Sequence, residues 1–370
     1  MTGRVPLNDL SRDDHVEADL ALVNDTIRTG WFVLGNQVKG FEAELSAYLG
    51  TAGCVGVGNG TDALMLAIRA IGVQPGETVV MAANAGMYAA AAAVAVGAVP
   101  AWVEVLPDRA SIDPDALRER LAADRPAAVV VTHLYGLMAD IARISEICRA
   151  AGVPLIEDCA QSAGASLDGR AAGTWGACGT YSFYPTKNLA AWGDAGAVVS
   201  TDPDLLERVR RLHQYGWTSR YHADVSHGVN SRMDEVQATV LRARLPRLDA
   251  ENRIRRAILG RYVSALPSSA RLYFEDGPTC VGHLAVIAFS SEAERDGARA
   301  VLDAAGVGTD VHYPVPDHLQ PAMAALADGV RLPVTEELTR RILTVPCFPA
   351  LTETEVEQVT QALSTLRAQV

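Results

Sequence analysis

The chain of 370 residues is 49% hydrophobic and 21% charged, which is typical of a globular protein with one large and one smaller domain. Its net charge of −12 argues against a nucleic-acid-binding surface, which requires clustered cations. Six scattered cysteines without CxxC spacing argue against a disulfide framework or a zinc site, so no metal is expected. The N-terminus lacks the basic and apolar regions of a signal peptide, and the longest apolar run (85–102) is interrupted by glycine and proline. We therefore expect a cytoplasmic protein without a membrane span.

Between about residues 50 and 200, β-branched apolar runs alternate with alanine- and leucine-rich runs. Strands are predicted at 54–57, 78–81, 100–103, 127–131, 154–156, 179–183 and 196–200. Helices are predicted at 61–71, 88–96, 114–122 and 141–151. This alternation predicts an α/β fold with a mostly parallel sheet, and strands that are apolar on both sides predict helices on both faces.

After residue 200 the pattern becomes mainly helical. We predict helices at 203–214 and from 233 to 250, the latter continuing to 266, with a polar loop at 215–230 between them. The last hundred residues predict strands at 283–290 and 308–312 and helices at 292–305 and 353–366. The sequence thus predicts a large domain (1–250) and a smaller α+β domain (251–370).

Only two of the 32 basic residues are lysines, Lys39 and Lys187. Arginine keeps its proton near neutral pH, whereas a desolvated lysine amine can lose its proton and attack a carbonyl to form a Schiff base. Lys187 lies in the aromatic loop SFYPTKN, which makes it a candidate nucleophile. The alternative is an ordinary surface lysine.

A glycine-rich turn, GVGNGTD, joins the first predicted strand to the next helix. Its glycines allow backbone amides to approach a ligand, and the helix N-terminus favours a phosphate, so Gly60 and Thr61 are candidate contacts. A dinucleotide fingerprint fails because Thr61 stands where the third glycine is needed, and no acidic residue ends the following strand. A simple strand-to-helix turn remains an alternative.

Asp158 ends a hydrophobic strand, where open α/β sheets place ligands, although it is also a good helix N-cap. A carboxylate there can keep the pyridine nitrogen of pyridoxal 5′-phosphate (PLP) protonated. Ser182, five residues before Lys187, is a candidate phosphate contact. A phosphate turn, an aspartate about 100 residues later and a lysine about 30 beyond it are together typical of a PLP site.

At this point the chain resembles the DegT/DnrJ/EryC1/StrS sugar aminotransferases, which have the fold type I of aspartate aminotransferase. The matching segments are GNGTDAL, VVVTHLYG, PLIEDCAQSAGA, SFYPTKNLAAWGDAGAVV and GVNSRMDEVQATVLRARL, with VGTDVHYP as a looser match in the smaller domain. The resemblance implies that Lys187 binds PLP covalently and moves the proton, that Asp158 pairs with the pyridinium, and that Gln161 lies beside the 3-hydroxyl. It assigns the phosphate to Gly60, Thr61 and Ser182.

The resemblance also implies a homodimer with shared active sites, because Asn230 would reach the phosphate of the partner subunit. The chain departs from most members at Asn59, where they have serine, and at Gly86, where they have an aromatic residue. Tyr88 is therefore the candidate for the residue that stacks on the cofactor ring. Candidate contacts to a nucleotide are Arg28, Trp31, His133, Tyr135, Tyr221, His312 and Tyr313.

The function implied by the resemblance is transfer of an amino group from L-glutamate, through pyridoxamine 5′-phosphate, to a keto-deoxysugar linked to dTDP. Such enzymes serve amino sugar and antibiotic biosynthesis, and the GNGTDAL and NAGMY segments favour amination at C3 over C4. A sugar 3-dehydratase of the same fold is disfavoured, because it would have histidine in place of the catalytic lysine, and this chain has Lys187. A PLP-binding regulatory protein without catalysis and an NAD-dependent dehydrogenase are the remaining alternatives.

Overall fold

The computed structural model of the protein describes residues 3–368, and we number its elements in chain order. The helices are α1 (Val16–Arg28), α2 (Asn36–Leu49), α3 (Gly60–Ala70), α4 (Tyr88–Ala95), α5 (Pro114–Ala123), α6 (Ile141–Ala151), α7 (Pro203–Leu212), α8 (Glu235–Arg244), α9 (Leu248–Ala265), α10 (Glu292–Ala304), α11 (Pro333–Arg340) and α12 (Glu353–Thr365). The strands are β1 (Gly53–Val57), β2 (Thr78–Ala82), β3 (Val99–Val103), β4 (Ala128–Thr132), β5 (Leu155–Asp158), β6 (Ser166–Leu167), β7 (Arg170–Ala171), β8 (Cys178–Ser182), β9 (Gly196–Ser200), β10 (Trp217–Ser219), β11 (His222–Ala223), β12 (Arg271–Leu272), β13 (Ala285–Ala288) and β14 (Ile342–Val345).

The central sheet has seven strands in the order β1-β9-β8-β5-β4-β2-β3. Only β9 runs antiparallel to its neighbours β1 and β8, so the predicted mostly parallel, mixed sheet is confirmed. In β4, Val129 and Val131 belong to one hydrophobic core, and Ala128 and Val130 to another. The first core is completed by residues of α2, α5, α6 and α8, and the second by residues of α3, α4 and α7. Helices therefore cover both faces, as the two-sided apolar strands predict.

A third core lies in the C-terminal part of the chain. The antiparallel sheet β12-β13-β14 packs with buried residues of α9, α10 and α12, which is an α+β arrangement. The boundary predicted at residue 250 falls within the first turn of α9, and the division into two domains stays a prediction.

The structure corrects several predicted elements. The predicted strand at 308–312 is wrong, because Asp310 forms only an isolated bridge with Thr344. The continuous helix predicted from 233 to 266 is also wrong: a 3-10 turn containing Pro246 separates α8 from α9, since proline cannot donate the helical hydrogen bond. The predicted loop 215–230 contains the hairpin β10–β11, and the sequence analysis missed α1 and α2. Within residues 3–368, no helix is both long and apolar enough to cross a bilayer.

Candidate active site

A cavity of about 440 Å³ lies at the carboxyl ends of β5 and β8, beside the start of α3. Because β1, β5 and β8 run in the same direction, the residues that follow them reach the same edge of the sheet. Six of the eight predicted site residues line this cavity: Gly60, Thr61, Tyr88, Asp158, Ser182 and Lys187. The fold therefore brings together residues that are up to about 130 positions apart in sequence.

The start of α3 forms one side of the cavity. Asn59 caps the helix by accepting a hydrogen bond from the amide of Asp62 at 2.8 Å, which leaves the earlier amides of Gly60 and Thr61 without backbone partners in the described part of the chain. A β-carbon on Gly60 would lie 2.6 Å from Cβ of Ser182, so glycine is required for this close approach. Free amides, a helix dipole and a neighbouring hydroxyl are suited to a phosphate group.

Asp158 lies at the end of β5 and is 3% exposed. Its Oδ1 accepts from the amide of Ala160 at 3.1 Å and its Oδ2 from the hydroxyl of Thr132 at 3.2 Å. Burial raises the pKa of Asp158, and the positive charge of Lys187 only partly opposes this. Within residues 3–368 no basic atom lies within 4.0 Å of the carboxylate, so a protonated ring nitrogen would supply the missing counter-ion. The residues present therefore fit a pyridinium cofactor.

Lys187 lies in a well-anchored loop between β8 and β9. Its amide donates to the carbonyl of Tyr184 at 2.8 Å. The next side chain, Asn188, donates to Asn252 Oδ1 at 2.8 Å and to the carbonyl of Val281 at 3.1 Å. Burial lowers the pKa of the Lys187 amine, opposed in part by Asp158. The lowered pKa increases the fraction of neutral amine, which is the form that attacks a carbonyl.

The segment before α4 places Tyr88 at the cavity. Gly86 and Met87 both adopt positive φ angles, of 79° and 72°, and the amide of Met87 donates to Asp317 Oδ1 at 2.9 Å. A β-carbon on Gly86 would lie 2.9 Å from the ring of Tyr313. The rings of Tyr88 and Tyr313 are 6.1 Å apart and nearly perpendicular. The glycine at position 86 thus makes room for Tyr313 in the cavity wall.

The two other predicted site residues do not line this cavity. The amide group of Gln161 donates to the hydroxyl of Tyr313 at 3.2 Å and accepts from the amide of Tyr135 at 2.6 Å, so Gln161 lies behind Tyr313. Asn230 is exposed and pairs with Gln214 in an isolated bridge. Asn230 thus lies outside the cavity of its own subunit, and its contact with the phosphate of a partner subunit stays a prediction.

Glu157, next to Asp158, is completely buried and belongs to a separate hydrogen-bond network. Its carboxylate accepts from the amides of Gly173, Trp175 and Gly176 and from the ring of His133 at 3.1 Å. The other nitrogen of His133 accepts from the amide of Ala139, so the proton lies on Nε2. These hydrogen bonds give the buried His133–Glu157 pair a structural role, in which it fixes the backbone around residues 139 and 173–176.

Of the candidate nucleotide contacts, His312 and Tyr313 line the cavity, whereas His133 and Tyr135 are buried away from it. The others are exposed and outside the cavity: Arg28, Trp31 and Tyr221. Sequence reasoning missed Arg255 and His283 as cavity residues. One signal was available for Arg255: it lies three and seven residues from the buried Asn252 and Tyr262, on the buried face of α9.

A mostly parallel sheet, free amides at a helix start, a buried carboxylate and a lysine of lowered pKa together fit a PLP-dependent enzyme of fold type I. The model of the DegT/DnrJ/EryC1/StrS aminotransferase family matches residues 13–364. The chain belongs to this family. The predicted family, fold class and enzyme class are thus confirmed.

Individual relatives agree with this assignment. The dTDP-3-amino-3,4,6-trideoxy-alpha-D-glucose transaminase of Streptomyces venezuelae is 39% identical over 98% of this chain and 96% of its own length. The UDP-N-acetyl-3-dehydro-alpha-D-glucosamine 3-aminotransferase of Acidithiobacillus ferrooxidans is 38% identical over 96% of each chain. The crystal structure of S. venezuelae DesV in complex with a ketimine intermediate superposes with a TM-score of 0.93 at 37% identity and covers 100% of both chains. The predicted cofactor, PLP, is confirmed, because aminotransferases of this family use it.

Proposed function

We propose that the enzyme transfers the amino group of L-glutamate to C3 of a dTDP-linked keto-deoxysugar, in the biosynthesis of amino sugars for antibiotics. The observation that carries the amino transfer is the cavity that joins Asp158, Lys187 and the start of α3. Support for C3 comes from the names of the two relatives described above. One name specifies a 3-amino sugar, and the other specifies a 3-aminotransferase. One name specifies dTDP and the other UDP, and the antibiotic-type segments GNGTDAL and NAGMY favour dTDP.

In this proposal the free amides of Gly60 and Thr61 and the hydroxyl of Ser182 hold the cofactor phosphate. When bound, the cofactor supplies an electron sink for cleavage of the bond to the α-hydrogen. Asp158 keeps a proton at the ring nitrogen, and Lys187 moves the proton at the reacting carbon. Two further residues would position the ring: Tyr88, which lines the cavity, by packing, and Gln161, from behind the cavity wall, by holding Tyr313.

Amination at C4 of a dTDP-4-keto-6-deoxysugar is the alternative activity. The PLP enzyme is incubated with L-glutamate and matched panels of dTDP-3-keto and dTDP-4-keto deoxysugars, and the aminated product is identified by NMR. Amination of only the 4-keto sugars would contradict the proposed position. A regulatory protein without catalysis is the alternative of another class. It is tested without any sugar, because L-glutamate should bleach the visible absorption of the lysine-bound cofactor only in a transaminase.

We further propose that the enzyme is a homodimer in which Asn230 contacts the phosphate bound by its partner. The exposure of Asn230 outside its own cavity supports this. The segment before Asn230 also carries Tyr215, just ahead of the hairpin, and Trp217 and Tyr221 within it. Successive rings of these three lie 5.2 and 5.4 Å apart, and Tyr221 is 75% exposed. An exposed aromatic cluster of this kind is suited to an interface between subunits.

A mixing experiment tests the shared site. Lys187→Ala and Asn230→Ala proteins, each impaired alone, are unfolded and refolded together. If the residues come from different subunits, each mixed dimer has one intact site, and random pairing restores about one quarter of wild-type activity. The matched control mixes Lys187→Ala with Asp158→Asn, which belong to the same cavity and should not restore activity. No recovery with Asn230→Ala, in samples where mixed dimers form, would exclude its action across the interface.

A further inference from the structure

Arg255 is the only buried arginine among residues 3–368, with 7% of its surface exposed. It lies on the inner face of α9, together with the buried side chains of Asn252, Leu259 and Tyr262. This face of α9 borders the cavity, and Arg255 lines it together with Lys187. A guanidinium is always charged at physiological pH, so a permanent positive charge is buried in the cavity wall.

The guanidinium of Arg255 has no carboxylate partner in the described part of the chain. Its Nη1 donates to the carbonyl of Cys347 at 2.8 Å, and its buried Nε has no hydrogen-bond partner among residues 3–368. Arg244 and Arg247 pair with aspartate and Arg261 pairs with glutamate. Arg253 and Arg256 also form no ion pair in the described residues, but neither is buried. An unpaired buried charge is costly, and an anion that enters the cavity would supply the missing partner.

The other groups near Arg255 offset its charge only in part. His283 is buried beside Arg255 and Lys187, and burial together with these two charges lowers its pKa well below the ordinary value, so its ring is neutral. Burial lowers the pKa of Arg255, and the carboxylate of Glu251, one helical turn earlier, partly opposes this by electrostatic attraction, although it forms no ion pair with the guanidinium in the described residues. The carboxylates that line the cavity are Asp158 and the exposed Asp194. This wall therefore favours an anionic ligand.

We propose that Arg255 is the receptor for the α-carboxylate of the amino donor. The inference rests on the proposed transamination with an amino acid as donor. The carbon that carries the donor's amine must reach Lys187, and its α-carboxylate is one bond from that carbon, so the receptor must line the same cavity as Lys187. A sugar diphosphate is several bonds from the keto carbon and does not have this constraint. The planar guanidinium also matches the two oxygens of a carboxylate.

The test compares PLP-loaded wild type with Arg255→Gln and Arg255→Lys, and Arg256→Gln is the matched control. Arg256 is the next residue on α9 and does not line the cavity. Glutarate, a dicarboxylate without an amine, is titrated by calorimetry, and dTDP is titrated separately. In Arg255→Gln we expect the Kd for glutarate to rise between about 10-fold and about 100-fold, as for loss of a charged hydrogen bond, with the Kd for dTDP unchanged. The L-glutamate concentration that half-bleaches the cofactor should rise by a similar factor.

Each outcome decides the matter. Unchanged glutarate affinity in a folded Arg255→Gln protein would overturn the proposal, and so would a loss of dTDP affinity alone, which would assign the site to the nucleotide. If the glutamine variant does not fold, Arg255→Lys decides, because it keeps the charge but loses the planar fork: unchanged glutarate affinity would again overturn the proposal. Neither readout requires a sugar, so an error in the proposed sugar substrate leaves this result unaffected. If wild type reacts with a different amino acid, that donor replaces L-glutamate in the bleaching assay.

Discussion

Asp317 gives a quantitative prediction, because its buried carboxyl group holds the segment that carries Tyr88. Its side chain is 1% exposed, and Oδ1 accepts from the amide of Met87, whereas Oδ2 has no partner among residues 3–368. The backbone amide of Asp317 also donates to the carbonyl of Ala83 at 2.7 Å. Burial raises the pKa of Asp317 from 3.8 to about 7. The folded state therefore binds a proton more tightly than the unfolded chain does.

The sign and size of the effect follow from this difference. A raised folded pKa stabilises the fold at low pH, and this contribution is lost as the pH rises from about 4 through about 7. The pKa of Asp317 is about three units higher in the folded protein than in the unfolded chain, and about two of these units lie between pH 5 and pH 7. Each unit corresponds to about 1.4 kcal/mol of unfolding free energy. Ionisation of Asp317 should therefore reduce the free energy of unfolding by about 3 kcal/mol between pH 5 and pH 8.5.

The substitution Asp317→Asn removes this titration but keeps an oxygen to accept from Met87. Urea unfolding of wild type and variant, in the same cofactor state, is measured across this pH range. The stability of the variant relative to wild type should rise by about 3 kcal/mol from pH 5 to pH 8.5. Asp328→Asn, at an exposed position, is the control and should show no such trend. A difference between wild type and Asp317→Asn that stays constant with pH would refute the reasoning.

Three further predictions concern the cavity. Lys187→Arg should fold normally but lose about 100-fold or more of the rate at which the PLP-loaded protein converts L-glutamate to 2-oxoglutarate, because arginine offers no neutral amine; a near-normal rate would exclude the proposed proton transfer. Asp158→Asn should retain PLP, measured by absorbance after dialysis, yet slow bleaching by about 100-fold, whereas near-normal turnover would reduce Asp158 to a structural role. Gly86→Ala should lower the free energy of unfolding by about 1–3 kcal/mol, because its β-carbon meets the ring of Tyr313 and its φ is 79°; unchanged urea unfolding would show that the ring moves freely.

Much of the fold was predictable because its signals are local. Each strand of the central sheet is a short apolar run, and its predicted ends agree with the structure to within one or two residues. It was also predictable that Gly60, Asp158 and Lys187 lie close together, because they end or follow strands β1, β5 and β8. These strands run in the same direction, so the residues after them lie at one edge of the sheet. The strand predicted at 308–312 failed because an extended segment becomes a strand only when a partner pairs along its length, and Asp310 pairs alone.

Other features depended on contacts between distant parts of the chain. The sequence by itself determined the sheet, the cofactor and the enzyme class, because those depend on periodicity and on motifs at element ends. Only the tertiary structure decided that Tyr313 fills the space over Gly86, that Asp317 holds Met87 and that Arg255, among many arginines, is buried without a carboxylate partner in the described chain. The physical reason is that burial and charge pairing are properties of a packed neighbourhood, and residues from separate segments build that neighbourhood only when the chain folds.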